Sequence, residues 1–168
     1  MDIVLVSGGT RGLGLAIAKR LDTSGYQVVV VGRKCSPECE EWLSASDNGV
    51  FESYDFSDTS GIHEFCNQIS RKYGRLYGLV NNAAVGLDGI LATMHESDIS
   101  RAIRINIEAP VLLTKYFLRP MLINGRGRIV NISSIIGTTG FRGLAVYGAT
   151  KAAVNGFTKS LSREVGKA

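Results

Sequence analysis

Cysteine and histidine are scarce in this sequence, which excludes two common ways of stabilising a chain. The three cysteines, Cys35, Cys39 and Cys66, are too few and odd in number for a disulfide framework. Cys35 and Cys39 also lack the second cysteine pair or the clustered histidines that a metal site needs. We therefore expect neither structural disulfides nor a bound metal.

Long apolar runs and blocks of one charge are also missing. No run approaches the ~18 apolar residues of a membrane helix, and the first apolar run follows Met1 too closely for a signal peptide. The net charge is only +4, without the basic block typical of a nucleic-acid-binding tail. These absences predict a cytoplasmic protein that binds neither membranes nor nucleic acid.

Glycine is in excess, and the apolar residues form a regular alternation. Glycine accounts for 20 of the 168 residues, against a usual share of about 7%. Short β-branched runs predict strands over residues 3–6, 27–31, 50–54, 76–81 and 128–132, with segments of helical period between them. Strands joined by helix-length connections form a parallel sheet with helices on both faces. We therefore predict one doubly wound α/β domain over residues 1–168.

Capping signals locate several helix ends. Ser36 and Pro37 suit the N-cap and first position of a helix. Thr93 and Glu96 form a T-x-x-E capping box before a long helical region, which Pro110 is expected to interrupt or kink.

The first strand runs into a glycine-rich turn at residues 7–14, S-G-G-T-R-G-L-G. Glycines there permit a tight turn and close backbone approach to a phosphate, and the following helix supplies free N–H groups and the positive end of its dipole. A strand before the turn and a helix after it are the context that supports phosphate binding. The alternative is a tight turn that binds nothing.

Tyr147 and Lys151 are four residues apart, so they share one face of the last predicted helix. A tyrosine hydroxyl with an ordinary pKa of about 10 is a poor acid or base at neutral pH. A nearby ammonium favours the phenolate, so the pair can exchange a proton near pH 7. Taken alone, such a pair is common by chance and is better explained as an ordinary helix face.

Together these motifs resemble the NAD(P)-dependent short-chain dehydrogenase/reductase family, and most closely its 3-oxoacyl-carrier-protein reductase type. The resemblance rests on the glycine-rich turn, Asp55, N-N-A-A at residues 81–84, Asn106, I-S-S at 132–134 and Y-G-A-T-K at 147–151. It implies a Rossmann-like fold and reduction of a carbonyl to an alcohol, or the reverse. By the same resemblance Tyr147 is the acid/base, Lys151 assists it, Ser134 binds the substrate oxygen and Asn106 anchors a relay water.

The resemblance also implies the residues that bind the cofactor. Asp55 would bond the adenine amino group, although a simple Asx-turn is the alternative for this residue. The full set is Ser7, Gly8, Gly9, Thr10, Arg11, Gly12, Leu13, Gly14, Arg33, Asp55, Phe56, Asn82, Ala83, Tyr147 and Lys151.

The charges near the second strand favour NADP(H) over NAD(H). An NAD site places an acidic residue near the end of that strand, whereas this sequence has Arg33 and Lys34 there. Arg11 and Arg33 can flank a 2′-phosphate, since guanidinium matches phosphate geometry. The alternative is that these arginines are solvated surface charges.

Compared with the family pattern, the sequence stops before the expected sixth and seventh strands, which leaves the fifth predicted strand at the sheet edge. An active reductase in shortened form, a self-associating chain and a non-catalytic NADP-binding or assembly module all remain open. Residues 137–146 include Phe141 and Arg142, which predicts an apolar, slightly basic entrance for a small carbonyl or alcohol, including an acyl chain on an acidic carrier. The family commonly forms homodimers or homotetramers through helices near 106–123 and 148–165.

Overall fold

The computed structural model describes residues 1–166 and is built around a five-stranded parallel sheet in the order β3-β2-β1-β4-β5. The strands are β1 (Ile3–Ser7), β2 (Gln27–Gly32), β3 (Gly49–Ser53), β4 (Gly78–Asn81) and β5 (Arg128–Asn131). The helices are α1 (Gly12–Thr23), α2 (Pro37–Ala45), α3 (Ile62–Tyr73), α4 (Glu96–Ile103), α5 (Ala109–Ile123), α6 (Ile136–Thr139) and α7 (Ala145–Val165). The predicted doubly wound α/β fold is confirmed.

Alternate strand residues face two separate apolar layers. Val4, Val6, Val28 and Val30 pack with residues of α1 and α2 on one face of the sheet. Their neighbours along β1 and β2, which are Leu5, Val29 and Val31, pack with α3 and α5 on the other face, together with Leu79 of β4. Because helices cover both faces, the strands are apolar at every position rather than at alternate positions.

One predicted cap is confirmed and the other is wrong. The Ser36 hydroxyl accepts a hydrogen bond from the backbone N–H of Cys39 (3.2 Å), and Pro37 is the first residue of α2. The capping box at Thr93 does not form, because residues 91–93 fold into a 3₁₀ turn in which the Thr93 hydroxyl donates to the Ile90 carbonyl (3.1 Å). His95 is the N-cap of α4 instead.

The long helical region changes pitch immediately before Pro110. A π-helical turn, Arg104–Glu108, separates α4 from α5. Proline has no N–H, so Pro110 cannot donate to the carbonyl of Asn106 one turn earlier, as an α-helix would require. The predicted interruption is therefore observed, and it falls at Asn106.

Nowhere in residues 1–166 does a helix combine the length and the apolar character that crossing a membrane would require.

Candidate active site

The turn between β1 and α1 is shaped by glycines that no larger residue could replace. Gly8 and Gly12 have φ angles of +65° and +53°, in the left-handed region that glycine adopts without steric cost. A Cβ on Gly14 would lie 2.2 Å from the carbonyl oxygen of Gly8 and 2.5 Å from Nδ2 of Asn82. Helix α1 can therefore approach the sheet closely only because residue 14 is glycine.

The first backbone N–H groups of α1 are free donors at the end of the glycine-rich turn. Arg11 is the N-cap, and within the described chain no side chain caps the helix there. The first N–H groups of a helix lack intrahelical partners, and together with the helix dipole they attract anions. This end of α1 is therefore suited to hold a phosphate group.

Ser7 and Gly9 support the turn from behind instead of lining the cleft in front of it. The Ser7 hydroxyl accepts hydrogen bonds from the backbone N–H groups of Asn82 (3.0 Å) and Ala83 (3.1 Å). The Asn82 amide donates to the carbonyls of Ser7 (3.1 Å) and Gly8 (3.0 Å). A Cβ on Gly9 would lie 2.8 Å from the Val30 side chain. These contacts join the turn to the segment that follows β4.

A cleft of about 790 Å³ opens along the carboxyl ends of β1, β2 and β4. Most of the predicted cofactor-binding residues line it: Gly8, Thr10, Arg11, Gly12, Leu13, Gly14, Arg33, Asp55, Phe56, Asn82 and Ala83. Lys34 and Arg101 line it as well. Asp55 is the single acidic residue among those that line the cleft in the described part of the chain, so the cleft favours an anionic ligand.

Asp55 forms the Asx-turn that the sequence offered as the alternative for this residue. Its Oδ1 accepts hydrogen bonds from the backbone N–H (2.9 Å) and the hydroxyl (2.8 Å) of Ser57, which is an Asx-turn. The backbone hydrogen bond from Ser57 lowers the pKa of Asp55, and the charges of Arg33 and Arg101 lower it further. Asp55 thus forms a turn and presents an ionised carboxylate at the cleft wall.

Lys151 is buried beside the Tyr147 ring. Its side chain is 4% exposed, and its Nζ donates to the Ile132 carbonyl (2.9 Å) and lies 5.8 Å from the centre of the Tyr147 ring. Burial lowers the pKa of Lys151. Within residues 1–166 its ammonium forms no ion pair with a carboxylate. The sequence-predicted pair is therefore brought together, with the tyrosine half-buried at the surface end.

The Asn106 side chain is a structural bridge. Its Nδ2 donates to the Val85 carbonyl (2.9 Å) and to the Thr150 hydroxyl (3.1 Å), and its Oδ1 accepts from the Val85 N–H (2.8 Å). The amide thus joins the segment after β4 to α7, and the backbone carbonyl of Asn106 is the group that faces Pro110. Thr150 was not singled out from the sequence, although it directly precedes Lys151.

A cavity of about 20 Å³ lies between Asn106 and Lys151, lined also by Asn81 and Ile132. The buried Oδ1 of Asn81 has no hydrogen-bond partner among the described residues. A site of this size with several polar groups can hold about one water molecule.

Ser134 lies on the segment that closes against α7. Its hydroxyl accepts a hydrogen bond from the Ile136 N–H (3.3 Å). The neighbouring Ser133 hydroxyl donates to the Lys151 carbonyl (3.1 Å), and a Cβ on Gly137 would lie 2.8 Å from the Lys151 carbonyl carbon. This close packing brings the Ser134 segment to the helix that carries Tyr147 and Lys151.

Arg101 is the site residue that sequence reasoning missed. It lies on α4 and faces the cleft close enough to Asp55 for its charge to lower the pKa of that carboxyl. No local motif marks this arginine, because its position depends on how α4 crosses the rim of the sheet.

Comparison with known proteins agrees with this architecture. The family pattern described as short chain dehydrogenase matches residues 2–168. The chain is 38% identical to the 3-oxoacyl-(acyl-carrier-protein) reductase FabG of Haemophilus influenzae, over 97% of this chain and 67% of that protein.

Solved structures show the same fold. A short-chain dehydrogenase from Streptomyces avermitilis is similar with a TM-score of 0.92 and 31% identity, over 98% of this chain and 61% of that one. A metagenomic short-chain oxidoreductase in complex with NADP has a TM-score of 0.90 and 33% identity, over 99% of this chain and 77% of that one. The chain therefore spans only part of each of these proteins, and the predicted Rossmann-like fold is confirmed.

Proposed function

We propose that this chain, which belongs to the short-chain dehydrogenase family, is an NADP(H)-dependent oxidoreductase that interconverts a carbonyl and an alcohol. The observation that carries the proposal is the buried Lys151 ammonium beside Tyr147, without a paired carboxylate in the described chain. A buried, unpaired charge lowers stability, so its presence calls for a functional reason. Supporting the tyrosine during proton transfer is such a reason.

The cleft fits a phosphorylated dinucleotide on two observations. The uncapped end of α1 lies in a glycine turn that is open on the cleft side, because a Cβ on Gly12 would meet no atom of the described chain within 4 Å. The cleft volume of about 790 Å³ also lies within the usual range for ligand sites. Arg11 and Arg33 would hold the 2′-phosphate, Asp55 and Phe56 the adenine, and Tyr147 and Lys151 the nicotinamide ribose. When bound, the nicotinamide supplies or accepts the hydride.

Tyr147 and Ser134 would act on the substrate oxygen. Negative charge develops on a carbonyl oxygen as it is reduced, and two hydroxyl donors stabilise that charge. The Tyr147 hydroxyl then gives its proton to this oxygen, and the Lys151 ammonium stabilises the phenolate that remains.

The proton of Tyr147 would be restored from solvent, by way of the Lys151 ammonium and a water held beside it. The small cavity between Lys151 and Asn106 has room for about one water. Such a water can accept from Lys151 and donate to the Asn106 carbonyl, which Pro110 leaves without its α-helical donor. The predicted role of Asn106 as the anchor of a relay water therefore belongs to its backbone carbonyl, while its amide fixes α7.

The proposed substrate is an apolar carbonyl compound or the corresponding alcohol. Ile135 and Phe141, on the segment that leads to Tyr147, are 73% and 71% exposed. Arg142 adds a positive charge beside them, so an acyl chain on an acidic carrier is one candidate. Leu122 and Ile123, which are exposed at the end of α5, support the proposal of a homodimer or homotetramer that uses the helices near 106–123 and 148–165.

A non-catalytic NADP-binding module is the second candidate function. It is favoured by the open edge of β5, where Val130 is 48% exposed, because an uncovered strand is available to pair with another chain. This candidate predicts NADPH binding without turnover of any ketone.

Replacement of Tyr147 by Phe separates the two candidates. We expect Tyr147→Phe to bind NADPH normally but to oxidise it with a ketone about 10²–10⁴ times more slowly, the usual contribution of a general acid. NADPH oxidation is measured across a ketone panel, and binding is measured by fluorescence titration.

Tyr116→Phe is the matched control, since Tyr116 stacks on His63 far from the cleft. Equal turnover by Tyr147→Phe and wild type would contradict the proposed acid. Wild-type binding without turnover would favour the binding module.

A further inference from the structure

One of the three thiols, that of Cys35, lies at the wall of the cleft. Cys35 is half-buried and lines the cleft directly after Arg33 and Lys34. Cys39 follows in the first turn of α2 and is fully buried in the apolar layer under that helix. Cys66 is buried in the other apolar layer, on α3. Of these thiols, Cys35 is the one that a reagent in the cleft can reach.

The two buried thiols are chemically inert by comparison. Burial raises the pKa of Cys39 to about 12, and a hydrogen bond with the Cys35 side chain contributes to that shift. Burial raises the pKa of Cys66 to about 12 as well. Thiol–disulfide exchange requires the thiolate, so neither Cys39 nor Cys66 should react at neutral pH.

The charges around Cys35 select the sign of the reagent. Arg11, Arg33 and Lys34 line the same part of the cleft. Glu38, the first acidic residue of α2, is paired with Lys19 (2.9 Å). Asp55 is the single carboxylate among the described residues that line the cleft, so positive charge predominates and raises the local concentration of anions. Cys35 is therefore presented to anions in preference to cations.

We propose that Cys35 is a modification site for anionic low-molecular-weight disulfides, and that the mixed disulfide formed there occupies the phosphate-binding part of the cleft. The Cys35 thiol first loses its proton to solvent. Its sulfur then attacks one sulfur of the reagent, a new S–S bond forms, and the original S–S bond breaks. Cys35 is oxidised, and the other half of the reagent leaves as the reduced thiolate.

The adduct should persist instead of resolving into a protein disulfide. Resolution would need the Cys39 thiolate to attack Cys35, and its burial disfavours that ionisation. It would also need the two sulfurs to approach to about 2.05 Å, although Cys39 is held in α2 by the capping bond from its N–H to Ser36.

Modification and nucleotide binding should exclude each other, an expectation that rests on the proposed function. Both place negative charge against Arg11 and Arg33. Because coupling between two sites is reciprocal, the nucleotide should protect Cys35 as strongly as the adduct weakens nucleotide binding.

The test uses the whole chain and two reagents of opposite charge, oxidised glutathione as the anion and cystamine as the cation. Each rate is divided by the rate of the same reagent with N-acetylcysteine, and the product is located by mass spectrometry of the intact protein and its peptides. We expect a single glutathionyl group on Cys35 and a normalised rate at least about tenfold higher for oxidised glutathione at low salt. High salt should reduce this ratio. Cys35→Ser should form no adduct, and Cys66→Ser should react as wild type does.

NADPH protection gives a second readout. At about 100 times its Kd, NADPH should slow the modification by about 100-fold. Equal normalised rates for the two reagents, an adduct on Cys39 or Cys66, or a Cys35–Cys39 disulfide as the main product would overturn the proposal. So would NADPH that binds in a titration without protecting Cys35. If the titration shows no NADPH binding at all, the proposed function fails, and the comparison of the two reagents still decides the role of Cys35.

Discussion

Replacing Gly14 by alanine should destabilise the fold even though alanine is the better helix former. The new Cβ would lie 2.2 Å from the Gly8 carbonyl oxygen and 2.5 Å from Asn82 Nδ2. The first of these atoms is backbone in a turn fixed by hydrogen bonds, so it cannot move away cheaply. Overpacking of this kind costs about 1–3 kcal/mol, and a contact this short belongs at the upper end.

The helix propensity of alanine offsets part of that cost. Alanine is favoured over glycine in a helix interior by about 1 kcal/mol, which leaves a net loss of about 2 kcal/mol in the free energy of unfolding for Gly14→Ala. Gly156→Ala is the matched control, because a Cβ there meets no atom of the described chain within 4 Å. It keeps the propensity gain without the clash, so this variant should gain up to about 1 kcal/mol.

Urea unfolding followed by circular dichroism measures both variants. With a slope of about 2 kcal/mol per molar urea, Gly14→Ala should unfold about 1 M earlier than wild type, and Gly156→Ala slightly later. Equal midpoints for the two variants would mean that the β1–α1 turn relaxes freely. The reasoning that only glycine permits the close approach of α1 would then be refuted.

Two further substitutions test the charges of the site. Arg33→Ala should weaken NADPH binding by about 10–100-fold, the contribution of a hydrogen bond to a charged group, and leave NADH binding unchanged. Both affinities are measured by fluorescence titration, with Lys159→Ala, at an exposed position, as the control. Equal losses for the two nucleotides would exclude a contact between Arg33 and the 2′-phosphate. Lys151→Met should abolish turnover. At pH 7 its urea midpoint should nevertheless equal or exceed that of wild type, because burial lowers the pKa of Lys151 and so disfavours its charged form in the folded protein. The unfolded chain binds this proton up to the ordinary lysine pKa of 10.5, whereas the folded chain releases it at a lower pH. The stability of wild type relative to the variant should therefore rise as the pH rises toward 10.5. A fall in this relative stability would contradict the inferred cost of burying the charge.

The sequence predicts the parts of the site that are set by local signals. The turn at residues 7–14 and helix α1 follow from glycines between an apolar run and a helical period, and Ser36 and Pro37 specify the start of α2. The α4 start was missed because Thr93 has two local partners available. It bonds back to Ile90 within a 3₁₀ turn rather than forward toward Glu96.

Tertiary placement explains what sequence patterns could not predict. Arg101 reaches the cleft only because α4 crosses the rim of the sheet there. Ser7 and Gly9 belong to the glycine-rich motif, yet they pack against Asn82 and Val30 behind the turn. A motif therefore identifies a functional segment. It does not show which residues of that segment line the ligand site and which hold the others in place.

The same distinction applies to Asn106, whose residue type and backbone do separate work. The side-chain amide hydrogen-bonds to the Val85 backbone and to the Thr150 hydroxyl. It therefore fixes α7, which carries Tyr147 and Lys151, against the segment after β4. Asn106 also lines the small cavity, and the missing N–H of Pro110 leaves its backbone carbonyl without the donor that an α-helix would supply. The amide therefore accounts for the position of α7, and the water proposed beside Lys151 would hydrogen-bond to the carbonyl instead.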